Sequence, residues 1–170
     1  MHREPQNPPV STRAILGLLL VLVFAAAAGA NETAGVTIVR VFPGWREASS
    51  FKRISEYFTG RENTGGQVVL RTRPDERSGY YFLVRVRNPA AAQAVTVSLD
   101  IVRAGNAGTQ TYSFPASLGP GDTVFNLGLT GADWTDAKAD PIAWRLTFKG
   151  ADGQALATER SYLWEKPGGS

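Results

Sequence analysis

The chain has 170 residues, 43% hydrophobic and 19% charged, the balance of a folded globule rather than of a disordered or low-complexity chain. Its 18 basic and 15 acidic residues leave a net charge of +3, too small to make a nucleic-acid surface by itself. There is no cysteine, which excludes disulfide staples and thiol chemistry, and the one histidine is His2.

The first thirty residues read as a secretory signal. Met1 to Arg13 carries Arg3 and Arg13, Ala14 to Ala28 is free of charge, and Ala28-Gly29-Ala30 is an A-x-A cleavage pattern. The apolar run falls short of the ~20 residues that usually span a bilayer, so removal near Ala30 is expected rather than retention as an anchor. Loss of residues 1–30 takes away Arg3, Arg13, Glu4 and His2 and leaves a net charge of +2. The expected product is exported, periplasmic or extracellular. It consists of a domain over residues 31–165 and a frayed tail over 166–170, and it meets the membrane only through the signal before cleavage.

In chain order, Val36 to Phe42 is β-branched and reads as a first strand, stopped by Pro43-Gly44. From Glu47 to Gly60 the period changes: Phe51, Ile54 and Phe58 recur at i, i+3 and i+7 with Tyr57 alongside, a short helix capped by Ser49 or Ser50 and ended by Gly60. Gln67 to Arg73 and Tyr80 to Arg87 are strands separated by Pro74-Asp75-Glu76-Arg77-Ser78, which predicts an antiparallel hairpin with Leu70 opposite Phe82 and Val68 opposite Val84. In the second strand Tyr80, Phe82, Val84 and Val86 fall on one face, and Tyr81, Leu83, Arg85 and Arg87 on the other. The outward pair Val69 and Leu83 would be covered by the Phe51/Ile54/Phe58 stripe.

Further strands follow. Ala94 to Arg103 points Val95, Val97, Leu99 and Ile101 inward. Thr109 to Phe114 shares a face through Tyr112 and Phe114 and stops at Pro115. Thr123 to Leu129 points Phe125, Leu127 and Leu129 inward. After a polar loop around Trp134, Ile142, Trp144, Leu146 and Phe148 alternate as a buried face. Asp152-Gly153 predicts a tight hairpin into a last strand from about Ala155 to Trp164, where Arg160 breaks the pattern as at a bulge or an edge.

Seven or eight short antiparallel strands with turns about every ten residues predict an all-β sandwich or barrel, with one short helix inserted after the first strand. From Tyr80 onward, the Tyr80-x-Phe82-x-Val84 strand, the Ile142-x-Trp144-x-Leu146-x-Phe148 strand, the Asp-Gly hairpin and the terminal strand resemble immunoglobulin-like or fibronectin-like sandwiches of exported bacterial proteins. That resemblance implies an antiparallel sandwich and carries no single function, and the inter-sheet cysteine pair of antibody domains is missing.

Candidate chemistry is thin. Histidine-based triads and His or Cys metal sites have no histidine left to use after residue 30. Ser49-Ser50-Phe51-Lys52 fits the S-x-x-K pattern of penicillin-interacting serine enzymes, but S-D-N and K-T-G are absent and a helix cap explains the serines equally. Asp133, Asp136 and Asp140 suit either oxygen ligation of Ca²⁺ or a solvated loop. No catalytic or metal-ligating set emerges, no cofactor is indicated, and the expected protein is not an enzyme.

Binding is the live alternative to a plain scaffold. Arg71, Arg73, Arg85 and Arg87, with Tyr81 among them, would share the outer face of the hairpin and suit phosphate, carboxylate or acidic glycan; the same arginines also suit simple pairing with Asp100 or glutamates. Trp45, Trp134 and Trp164 suit either sugar stacking or plugging the ends of a sandwich. The expectation is an envelope-associated interaction or accessory module, with a carbohydrate or anionic-polymer binding domain as the alternative. The partners left open are an envelope protein or a glycan, not a nucleic acid.

Overall fold

The computed structural model describes residues 35–106 and 108–165. The expected signal segment, residues 1–30, and the expected frayed tail, residues 166–170, lie outside the described residues. Eight strands, β1 (Thr37–Arg46), β2 (Val68–Arg71), β3 (Gly79–Asn88), β4 (Gln93–Val102), β5 (Thr109–Leu118), β6 (Gly121–Thr130), β7 (Ala143–Lys149) and β8 (Ala155–Arg160), form two four-stranded sheets. The orders are β1-β3-β6-β2 and β5-β4-β7-β8. The alternation anticipated from sequence sets the interior: Tyr80, Phe82, Val84 and Val86 of β3, Phe125, Leu127 and Leu129 of β6, Val95, Val97, Leu99 and Ile101 of β4, and Leu146 and Phe148 of β7 are all buried. Rings from the two sheets meet edge to face, Phe125 with Phe148 at 5.4 Å between centroids and Phe82 with Trp144 at 5.6 Å. Among the described residues, the core and the side chains packed on it lie between Val36 and Leu156, within one compact unit.

The predicted β2–β3 hairpin is not formed. β6 lies between the two strands, antiparallel to β3 (Phe82 opposite Leu127, Val84 opposite Phe125) and parallel to β2 (Val68 opposite Phe125, Leu70 opposite Leu127). The inward phase of Val68 and Leu70 survives this change, because parity decides which face a side chain takes and says nothing about the neighbouring strand. β6 offers a longer run of inward apolar residues than the four-residue β2, and it takes the place beside β3. The connection from β2 to β3 then crosses the end of β6 and is tied there by side chains. Thr130 Oγ1 accepts from the Arg73 N–H (3.0 Å) and donates to its carbonyl (3.0 Å), while the Thr130 N–H donates to Thr72 Oγ1 (3.0 Å).

Two proline-marked strand ends also moved. β1 continues through Pro43 to Arg46, and β5 through Pro115 to Leu118. Both are edge strands, where the missing N–H faces no partner. A bulge at Val39 puts Ile38 and Val41 on the same inward side, opposite Val86 and Val84.

The helix after β1 is split. Ala48–Phe51 is a 3₁₀ turn, Lys52 and Arg53 are extended, and α1 covers only Ile54–Thr59, ended as anticipated by left-handed Gly60, whose N–H reaches Glu56 O at 2.9 Å. The break frees Phe51 from the helical stripe and lets it dock on Tyr81, ring centroids 4.6 Å apart. Ser50 donates to the Glu47 carbonyl and does not cap α1; the Glu56 carboxylate accepts the Arg53 N–H instead. The expected cover over Val69 and Leu83 is therefore corrected: Ile54 and Phe58 point away, and Val69 and Leu83, both half-buried, stand in one row with Asn126 between them.

Smaller corrections fall at the end of the chain. Ile142 precedes β7 and is half exposed rather than buried, and β8 stops at Arg160, followed by a 3₁₀ turn over Tyr162–Glu165.

Candidate binding face

The outer face of the β1-β3-β6-β2 sheet holds most of the sequence-predicted site residues, but in two different states. At one end Tyr81 is fully buried and not displayed, contrary to its expected place among exposed arginines. Its neighbours across the sheet are Gly44 and Gly128, and a Cβ at Gly128 would stand 2.5 Å from Tyr81 Cε1. The ring thus lies flat over the glycine with Phe51 above it. Arg71, two strands away, reaches across that glycine: its Nε donates to the Tyr81 hydroxyl (2.8 Å), which itself donates to the Arg77 carbonyl (2.8 Å).

Arg71 is also not at the surface. Its side chain is 6% exposed, pairs with both oxygens of Glu62 (2.9 and 2.6 Å), and sits under the Phe51 ring. Arg77 closes the network by pairing with Glu56 at 2.7 Å. The hydrogen bond from Arg71 holds the Glu62 carboxyl below the usual carboxylate range against a burial that pulls it up, and the one from Arg77 does the same for Glu56. Burial pushes the Tyr81 hydroxyl up, opposed by Arg71.

Arg73 stands beyond the end of β2 and pairs with Asp133 at 3.3 Å. Arg87 is exposed and pairs with Asp122, its cross-strand neighbour, at 2.8 Å. Arg85 is different. It is exposed, has no ion pair among the described residues, and lies directly opposite Arg40 of β1. Arg40 is likewise exposed and unpaired, resting over Phe42, which is 53% exposed.

Sequence reading missed Arg40 and Phe42 because strict alternation puts both on the same face as Ile38, which packs against the core. Two inward aliphatic residues three positions apart, Ile38 and Val41, are the signal of a bulge that restores them to the arginine face.

Trp134 is buried, not a displayed sugar platform. Its ring lies 4.6 Å from Tyr80, with the Arg103 guanidinium 3.9 Å above it, and its indole N–H donates to Asp136 O at 3.0 Å, so it plugs the end of the sandwich. Trp45 packs against the core and donates to Glu47 at 2.7 Å, and Trp164 lies under Arg145. The three tryptophans share no groove.

The aspartates of the Trp134 loop are committed separately: Asp133 to Arg73, Asp136 to the Lys138 N–H, Asp140 to the Tyr80 hydroxyl. Among the described residues no His, Cys, Asp and Glu cluster is arranged to hold a metal ion. In the second sheet Asp100, expected to serve the outer arginines, instead accepts from Arg145 (2.7 Å) and Thr111 (2.6 Å).

Of the six residues singled out from sequence, the fold therefore brings together Arg71 and Tyr81 as an internal network, leaves Arg85 and Arg87 on an open face with Arg40, and sends Arg73 and Trp134 elsewhere. No protein-family model matches the chain, and no curated protein matches it in sequence.

Proposed function

We propose that the protein is an exported, non-enzymatic interaction module that works by surface contact at the cell envelope, and that its contact face is the open end of the β1-β3-β6-β2 sheet around Arg40 and Arg85. The observation that carries this reading is the direct cross-strand opposition of those two arginines with no carboxylate between them. Like charges placed opposite each other on a sheet destabilise it, and an anionic ligand relieves that cost on binding. Arg87 beside them is shared with Asp122, and Phe42 supplies an apolar platform on the same face. These chemistries suit a carboxylated or sulfated polymer better than a neutral sugar. The immunoglobulin-like reading of the fold belongs to the same proposal. The Tyr81 hydroxyl, returning to a carbonyl four residues upstream, supports it, and the parallel β2 makes it a variant of that architecture.

The test is retention of the chain from Asn31 onward on immobilised heparin across a salt gradient. Wild type is expected to be retained and released by salt, with Arg40→Ala/Arg85→Ala eluting at markedly lower salt and Arg73→Ala unchanged. Flow-through of the wild type at low salt, or equal loss from Arg73→Ala, overturns the reading.

A further inference from the structure

The segment between β1 and β2 ends in an apolar tip that nothing in the fold uses. Ile54, Tyr57 and Phe58 of α1 are 78%, 78% and 85% exposed, and at i, i+3 and i+4 they share one side of the helix. The stem below the tip is held to the sandwich: Phe51 lies on Tyr81, Glu56 pairs with Arg77, and Glu62 pairs with Arg71. A firmly based element carrying its three largest apolar side chains into water loses roughly 25 cal/mol for each Å² left exposed, so the exposure calls for an occupant.

The charges around the tip identify the occupant. All three carboxylates of the segment are turned to internal partners, Glu47 to the Trp45 indole, Glu56 to Arg77 and Glu62 to Arg71. Lys52 and Arg61 are exposed and have no carboxylate partner among the described residues, while the Arg53 guanidinium is folded back over Gly65. The rim therefore carries unpaired cations and only paired carboxylates, around an aliphatic, a phenolic and a phenyl group. A protein groove that takes a helix reads anchors over two turns or more and buries roughly 1,000 Å² or more in total; a six-residue helix offers neither. An anionic lipid interface requires only apolar depth of one side chain and cations at headgroup level, and it has no shape to match.

We propose that α1 is a membrane-docking tip: Ile54, Tyr57 and Phe58 enter the headgroup and upper acyl region of an anionic bilayer surface while Lys52 and Arg61 contact its phosphates. The tip does not span the bilayer. This inference stands on a different element from the Arg40–Arg85 face and does not need it.

The experiment is co-sedimentation of the chain from Asn31 onward, which carries the core between Val36 and Leu156, with vesicles of phosphatidylcholine alone and of equal parts phosphatidylcholine and phosphatidylglycerol. Wild type is expected to pellet with the mixed vesicles and much less with the neutral ones. Tyr57→Ser/Phe58→Ser is expected to lose about tenfold or more in vesicle affinity while keeping its thermal midpoint and its heparin retention. Lys52→Gln/Arg61→Gln is expected to lose the preference for the anionic vesicles. A Tyr57→Trp variant adds a direct readout, a blue shift of the new indole on addition of mixed vesicles. No pelleting of the wild type, pelleting undiminished by Tyr57→Ser/Phe58→Ser, or a concentration-dependent dimer abolished by those serines in place of vesicle binding overturns the proposal.

Discussion

The two ends of one sheet face put arginine to opposite uses. At the Tyr81 end, Arg71 is buried, bidentate to Glu62 and bonded to a phenol. Four residues along β3, Arg85 is exposed and lies opposite Arg40, with Asp122 near enough to feel its charge but ion-paired to Arg87. The difference comes from what stands beside each. Gly128 leaves room for Tyr81 to lie down and for the segment after β1 to close over it, which excludes water and makes each ion pair strong. At the other end Val124 and Arg40 flank Arg85, no segment among the described residues crosses it, and the side chain is exposed. An arginine on a β-sheet is thus a structural clamp or a free cation according to whether its row holds a glycine notch with a cover, and the residue type alone does not tell which.

The comparison is broken most forcefully at the notch. Gly128→Val places branched carbon where the Tyr81 ring lies, so the ring, Phe51 and the segment above must shift. A loss of about 3 kcal/mol is expected from urea unfolding, with new protease cleavage between residues 47 and 66, whereas Val124→Ala at the open end should change stability far less.

The next effect is on acid stability. The folded Glu62 and Glu56 carboxyls titrate below their unfolded value of about 4.3, so their contribution is complete above about pH 5 and is lost as pH falls through the folded values. Arg71→Met should lower stability at neutral pH by about 2 kcal/mol and flatten the decline below about pH 4.3, both read from urea midpoints across a pH series. An acid limb identical to that of wild type would show that the Arg71–Glu62 pair contributes nothing.

The smallest effect sharpens the open end. Arg85→Glu replaces repulsion from Arg40 by attraction and is expected to raise stability by a few tenths of a kcal/mol in thermal or urea unfolding while abolishing heparin retention. A substitution that stabilises the fold and removes binding separates the free cation from the clamp in a single variant.

Much of this architecture was legible in the residues. Period-two alternation marked the buried faces of β3, β4 and β6, and Gly60 marked the end of α1, because each is a local property of a few consecutive positions. The candidate face was half legible: Arg85 and Arg87 were placed outward by parity, while Arg40 was hidden by a bulge that only pairing with β3 reveals.

What sequence alone determined is which side of β3, β4 and β6 faces the core between the sheets. What the tertiary structure alone decided is which strand lies next to which: that β6 and not β2 adjoins β3, that Tyr81 falls beside two glycines, and that Phe51 leaves its helical stripe to cover it. The first follows from backbone geometry over two residues. The second follows from a competition among distant segments for the same edge, in which the longer apolar run wins, and no window of neighbouring residues contains that competition.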